Sequence, residues 1–218
     1  KVHIDMIENG RKAFMEENDV EEEDVSVVFE LTLKDLTADG KILVQDFIDR
    51  ADLLSSLGYT VMVSNYLKHY KMVEYLAPIA KGKLIGVILG VYNLNTIFEE
   101  KYYGNLPGGL LEAFGRGFGH HMKIYVYPAF NVEDGEIYDL NNIEIAPNLI
   151  GLLNYMRDND KIIEIKEFNP KLLHIMSDDV LSKIKAGASS WEEDVPESVG
   201  KAIKFYELFG YQKKEVKI

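Results

Sequence analysis

Leu53-Leu-Ser-Ser-Leu-Gly58-Tyr-Thr-Val-Met-Val-Ser-Asn65 decides how the rest of this chain is read. Phe47, Ala51, Leu54 and Leu57 recur at helical spacing up to Gly58, which stands where a helix C-cap glycine belongs. The β-branched run Tyr59 to Val63 then reads as a buried strand ending in Ser64 and Asn65. A helix feeding such a strand is half of a βαβ repeat, and the same alternation continues in both directions. Upstream, residues 4–17 read as a helix and Val25-Ser-Val-Val-Phe29 as a strand. Downstream, a helix over about 66–76 ends before Pro78, and Leu84 to Leu89 forms a strand. Helices through 97–102 and 110–114 follow, and Met122 to Tyr127 is a strand closed by Pro128. Short strands alternating with helices specify right-handed crossovers and a parallel sheet.

This pattern predicts an α/β fold, a Rossmann-like or haloacid-dehalogenase-like parallel sheet flanked by helices. The sheet core is expected over about 25–128. After an acidic, turn-rich connection at 131–146, residues 147–218 read as a helical lobe, with Trp191 as its packing anchor. A single α/β domain over 1–218 is the expectation. Of the 218 residues, 47% are hydrophobic and 28% charged, which suits a folded core and excludes wholesale disorder. The net charge of −12 speaks against a nucleic-acid partner, because backbone affinity needs clustered Lys and Arg. There are no cysteines, so disulfides, thiol catalysis and cysteine-bound metals are ruled out. No apolar run approaches the ~20 residues that span a bilayer, and no signal peptide is visible. A cytoplasmic protein with no membrane partner is expected.

Three constellations bear on chemistry. Ser64 and Asn65 end a strand of a parallel sheet, the edge where such folds bind ligands. They can hold an anion against the next helix's free N–H groups, or simply cap that helix. The run from Glu99 to Arg116 places Gly108-Gly109 at a helix start, with Lys101 and Arg116 as cations. It reads either as a phosphate cradle or as a plain turn, and it lacks the Gly-Lys-Ser/Thr of a Walker loop. Asp35 to Asp46 matches a calcium loop at Asp35, Asp39, Gly40 and Ile42. The strand-like segment before it and the apolar Leu43 favour a turn without calcium. His120-His121 is no metal pair, because adjacent side chains diverge. Ser64, Asn65, Lys101, Gly108, Gly109 and Arg116 are therefore the candidate ligand-binding residues, with no metal and no named cofactor.

The segment Leu53 to Asn65 resembles the second motif of haloacid-dehalogenase-like phosphohydrolases, whose strand-terminal Ser or Thr binds phosphate. That resemblance implies a phosphate contact for Ser64. The family's nucleophilic Asp-x-Asp strand corresponds here to Val27-Val-Phe-Glu-Leu-Thr32, so Glu30 stands in the nucleophile's place and phosphoaspartyl catalysis is not expected. The only Asp-x-Asp, Asp158-Asn-Asp160, follows a helix. A wider resemblance rests on Gly58 to Asn65, Phe98-Glu-Glu-Lys-Tyr-Tyr103, Gly108 to Arg116, Lys123 to Pro128, Ser190-Trp-Glu-Glu-Asp-Val-Pro196 and Leu208-Phe-Gly-Tyr211. By these the chain is similar to a family of bacterial proteins whose labels vary between nicotinate- or nicotinamide-nucleotide adenylyltransferase and TonB-dependent receptor. The resemblance implies the C-terminal portion of a longer protein, with a further N-terminal domain as a natural partner. Neither label fits the residues: no histidine motif follows the first strand, and no amphipathic barrel strands occur. The function expected is binding of a phosphate-bearing metabolite or nucleotide within a larger bacterial protein. The alternatives are a structural or interaction domain without a small-molecule site, and a nucleotidyl- or phosphoryl-transfer enzyme.

Overall fold

The computed structural model describes residues 1–33, 37–38, 41–42, 44–66, 68–119 and 121–212. In chain order, α1 is Val2–Asn18, β1 Val28–Thr32, β2 Thr37–Ala38, β3 Lys41–Ile42, α2 Val44–Ser56 and β4 Thr60–Ser64. Then come α3 His69–Ala80, β5 Ile85–Gly90, α4 Val91–Ile97, α5 Gly109–Phe118, β6 Met122–Tyr127, β7 Ala129–Phe130 and β8 Ile137–Tyr138. The last elements are α6 Ile150–Asp158, β9 Ile162–Glu164, α7 Ser177–Lys185, α8 Trp191–Asp194 and α9 Glu197–Tyr206. The fold is mixed α/β with parallel sheets flanked by helices. Two compact units divide the chain: residues 1–2, 26–65 and 175–218 form the first, and residues 3–25 and 66–174 the second.

In the first unit β1 and β4 pair in parallel, in register from Val28 opposite Thr60 to Thr32 opposite Ser64. The antiparallel pair β2–β3 and helix α2 connect them. Ile184, Trp191 and Ile203 form the buried core, joined by Leu53, Val180, Val195, Val199, Phe209 and Tyr211. Trp191 is 1% exposed and meets the Tyr211 ring edge-on, which makes it the packing anchor expected. Buried Asp49 of α2 accepts hydrogen bonds from the Gln45 side chain and from the backbone N–H of Phe209.

The second unit is a three-stranded parallel sheet in the order β5-β6-β9. Because side chains alternate along a strand, β6 serves two layers at once. Met122, Ile124 and Val126 enter a core with Tyr70 and Val73 of α3, Leu94 and Ile97 of α4, Phe114 of α5 and Leu153 of α6. Lys123, Tyr125 and Tyr127 face α1, where they meet Glu17, Asn18 and Asp5. Glycines let α1 come close: a Cβ on Gly10 would lie 2.7 Å from Ile88, and one on Gly86 would lie 2.6 Å from the Phe14 ring.

The four strands expected near 25–30, 59–64, 83–89 and 122–127 correspond to β1, β4, β5 and β6, and each pairs in parallel. They do not form the one sheet expected: β1 pairs with β4 in one sheet, and β5, β6 and β9 form another. Two further expectations need correction. The stretch 147–218 is not wholly helical, since β9 pairs with β6 inside it, and 147–174 belongs to the second unit while 175–218 belongs to the first. Pro78 does not end α3. It lies in the helix's last turn, where only the carbonyl of Glu74 loses its intrahelical donor, and the helix runs on to Lys81 in the left-handed region. The candidate calcium loop has Asp35, Asp39, Gly40 and Leu43 outside the described residues, and so does His120.

Candidate functional site

Ser64 and Thr32 are register partners at the carboxyl ends of β4 and β1, and Glu30 lies two residues before Thr32 on the same face. The Ser64 hydroxyl donates to Glu30 Oε1 at 2.5 Å. Thr32 Oγ1 lies 2.8 and 2.9 Å from the two Glu30 carboxylate oxygens. Ser64 is 7% exposed, whereas Asn65 beside it is exposed. Neither is the cap residue of α3, which begins at His69 with Lys68 in its cap position. The hydroxyl expected to hold an anion therefore serves a carboxylate of the chain itself.

The other four candidates lie in the second unit. Gly108 precedes α5, and Gly109 has a φ of +56°, a conformation that favours glycine. The Gly108 N–H donates to Glu112 Oε2 at 2.9 Å, and the other oxygen of Glu112 lies 3.5 Å from Arg116 Nη1. Arg116 also grips Glu74 of α3 with two bonds, Nε to Oε1 at 2.6 Å and Nη2 to Oε2 at 3.0 Å. Those bonds hold the guanidinium above its ordinary pKa, and its carbon sits 5.2 Å from the centre of the Tyr70 ring. Tyr70 is 4% exposed, and its hydroxyl has no hydrogen-bond partner among the described residues. Lys101 is paired with Glu99, whose hydrogen bond raises the ammonium's pKa, and rests 4.9 Å from the Tyr102 ring centre.

No family model, curated protein or solved structure matches this chain. The six candidates are divided, with Ser64 and Asn65 in the first unit and Lys101, Gly108, Gly109 and Arg116 in the second. Within the second unit Glu112 joins Gly108 to Arg116, while Lys101 is engaged separately by Glu99. Glu74 carries this network to a cleft lined by Ala77, Pro78, Lys83, Gly119 and His121. The residues that sequence reasoning missed are the carboxylates Glu74 and Glu112. A Glu four residues after the helix-opening glycine was a legible signal for one; the other is 42 residues from its arginine, beyond any local pattern. Among the described residues no cluster of His, Asp or Glu is arranged to hold a metal, and no helix is long and apolar enough to cross a membrane.

Proposed function

We propose that the chain binds a phosphate-bearing metabolite or nucleotide at the start of α5, in a Rossmann-like α/β setting. One observation carries the reading. A single carboxylate, Glu112, contacts both the helix-opening Gly108 N–H and Arg116, so an anion of the chain already sits where a ligand phosphate would. A free N–H at a helix start next to a guanidinium is an anion receptor by its chemistry. Glu112 is then an internal competitor, and removing its charge opens the receptor. Calorimetry with inorganic phosphate, AMP and a sugar phosphate tests this. Glu112→Gln should bind at least one of them about tenfold more tightly than the native chain, a difference of about 1.4 kcal/mol. Arg116→Gln in the Glu112→Gln background should abolish the gain. Absence of binding by both the native chain and Glu112→Gln overturns the proposal.

The second reading, an interaction domain, is favoured by α9. Phe205 and Tyr206 are 73% and 56% exposed there, and their rings pack edge-to-face at 4.8 Å. Aromatic side chains are enriched where protein surfaces meet. A flat calorimetric screen together with self-association that disappears in the double variant Phe205→Ser, Tyr206→Ser selects this reading over the first.

A further inference from the structure

The Glu30, Thr32 and Ser64 cluster belongs to the first unit and the α5 site to the second, and the cluster makes a different chemical proposition. A serine hydroxyl is a weak nucleophile until an adjacent base takes its proton, and that base works best when a third group fixes it. All three parts are present. Ser64 Oγ donates to Glu30 Oε1 at 2.5 Å, and Thr32 Oγ1 sits 2.8 and 2.9 Å from the two Glu30 oxygens. The register of β1 and β4 brings Thr32 opposite Ser64, so rigid backbone pairing rather than a loop sets this geometry. The cluster lies at the carboxyl ends of parallel strands, the edge at which open α/β sheets present reacting groups.

We infer that Ser64 is a reactive nucleophile, with Glu30 as its general base and Thr32 as the residue that positions Glu30, and that the substrate class is a carboxylic ester. In the step implied, Ser64 Oγ bonds to the carbonyl carbon while its proton passes to Glu30. The ester's alkoxide leaves and takes that proton, so the acyl group rests on Ser64. Water then attacks the acyl carbon, gives a proton to Glu30, and releases the acid as Ser64 Oγ is reprotonated. Nothing is oxidised or reduced, and no co-reactant beyond water is required.

The test is covalent labelling of the full chain with a fluorophosphonate. The probe exchanges its P–F bond for an Oγ–P bond on an activated serine, releases fluoride, and leaves the proton on Glu30. Mass spectrometry with peptide fragmentation should find one adduct, on Ser64. Glu30→Gln should slow labelling by about 100-fold or more, the low end of general-base contributions. Thr32→Val should slow it less, and Thr32→Ser, which keeps the hydroxyl, should restore it. Circular dichroism confirms that each variant is folded. Should Ser64→Ala fail to fold, the mapped adduct on the native chain and the Glu30→Gln rate still decide. Absence of an adduct on Ser64, or equal rates in the native chain and Glu30→Gln, overturns the assignment.

Discussion

Asp49 and Tyr103 show how single polar groups are accommodated in these cores. Asp49 is buried on α2, and its carboxylate holds the backbone N–H of Phe209, a residue in the left-handed region at φ +59° close to Glu207 at +55°. Two non-glycine residues with positive φ within three positions carry strain that the surrounding structure must hold. The Asp49 bond supplies part of that hold. Tyr103 is buried in the other unit, and its hydroxyl donates to the carbonyl of Ile97 at 2.8 Å. Burial, with the neighbouring Tyr70 as the smaller cause, pushes its pKa up to about 12. The unfolded chain releases this proton near pH 10. The folded state therefore holds the proton over a window in which the unfolded state has lost it, and rising pH favours unfolding. The contribution is fully present below about pH 10 and is lost as the pH climbs through about 12. Tyr103→Phe should lower stability at pH 7 by about 1 kcal/mol, the net worth of a typical hydrogen bond. It should also flatten the fall in denaturation midpoint between about pH 10 and 12, relative to the native chain. An unchanged alkaline slope would remove Tyr103 from that role.

Helix α1 and the strand pair β5–β6 form an interface whose closeness depends on two glycines, Gly10 and Gly86. A methyl group on Gly86 would lie 2.6 Å from Phe14 Cδ2 and 3.3 Å from Tyr125 Cε2, and two aromatic rings cannot fold away as a flexible chain would. Gly86→Ala should destabilise the protein by about 1–3 kcal/mol, the usual range for overpacking, as read by urea denaturation followed by circular dichroism. Adding Phe14→Leu should recover part of the loss, because the second change removes the obstructing ring; simple additivity of the two effects would refute the contact. Elements of this kind were partly legible in sequence. The apolar runs of β5 and β6 announced buried strands, and Gly58 marked the end of the helix before β4. The strand β9 was not legible, because Ile162-Ile-Glu164 is too short to show a period and owes its extended form to pairing with β6. The candidate site was legible by residue type but not by partner. Ser64 looked available because Glu30, 34 positions away, reaches it only through the register of two strands. Arg116 looked available for the same reason, since Glu74 reaches it across two packed helices.

Charge acts on the whole molecule rather than on any one element. The chain carries 36 acidic and 24 basic side chains, and many of the basic ones are already held in contact pairs such as Lys12 with Glu167 and Lys183 with Asp194. Acidic side chains outnumber basic ones by twelve. Salt acts on these two populations differently. The paired groups sit 2.6 Å apart, far inside a Debye length of about 30 Å at 0.01 M or about 8 Å at 0.15 M, so screening weakens them little. Exposed pairs are in any case worth only about 0–1 kcal/mol each. The surplus charges repel one another over longer distances, and that repulsion is removed as the Debye length shrinks. Repulsion therefore dominates the salt response, and the folded state gains. Raising sodium chloride from about 10 mM to 200 mM should raise Tm by about 2–4 °C, corresponding to about 1 kcal/mol for a chain of this size. The same surplus should keep the protein from binding heparin or duplex DNA at low salt, where counterion release is strongest. A Tm that falls as salt is added would mean that the contact pairs, not the surplus charge, govern stability. Retention on heparin at 50 mM salt would mean that a basic face outweighs the negative total.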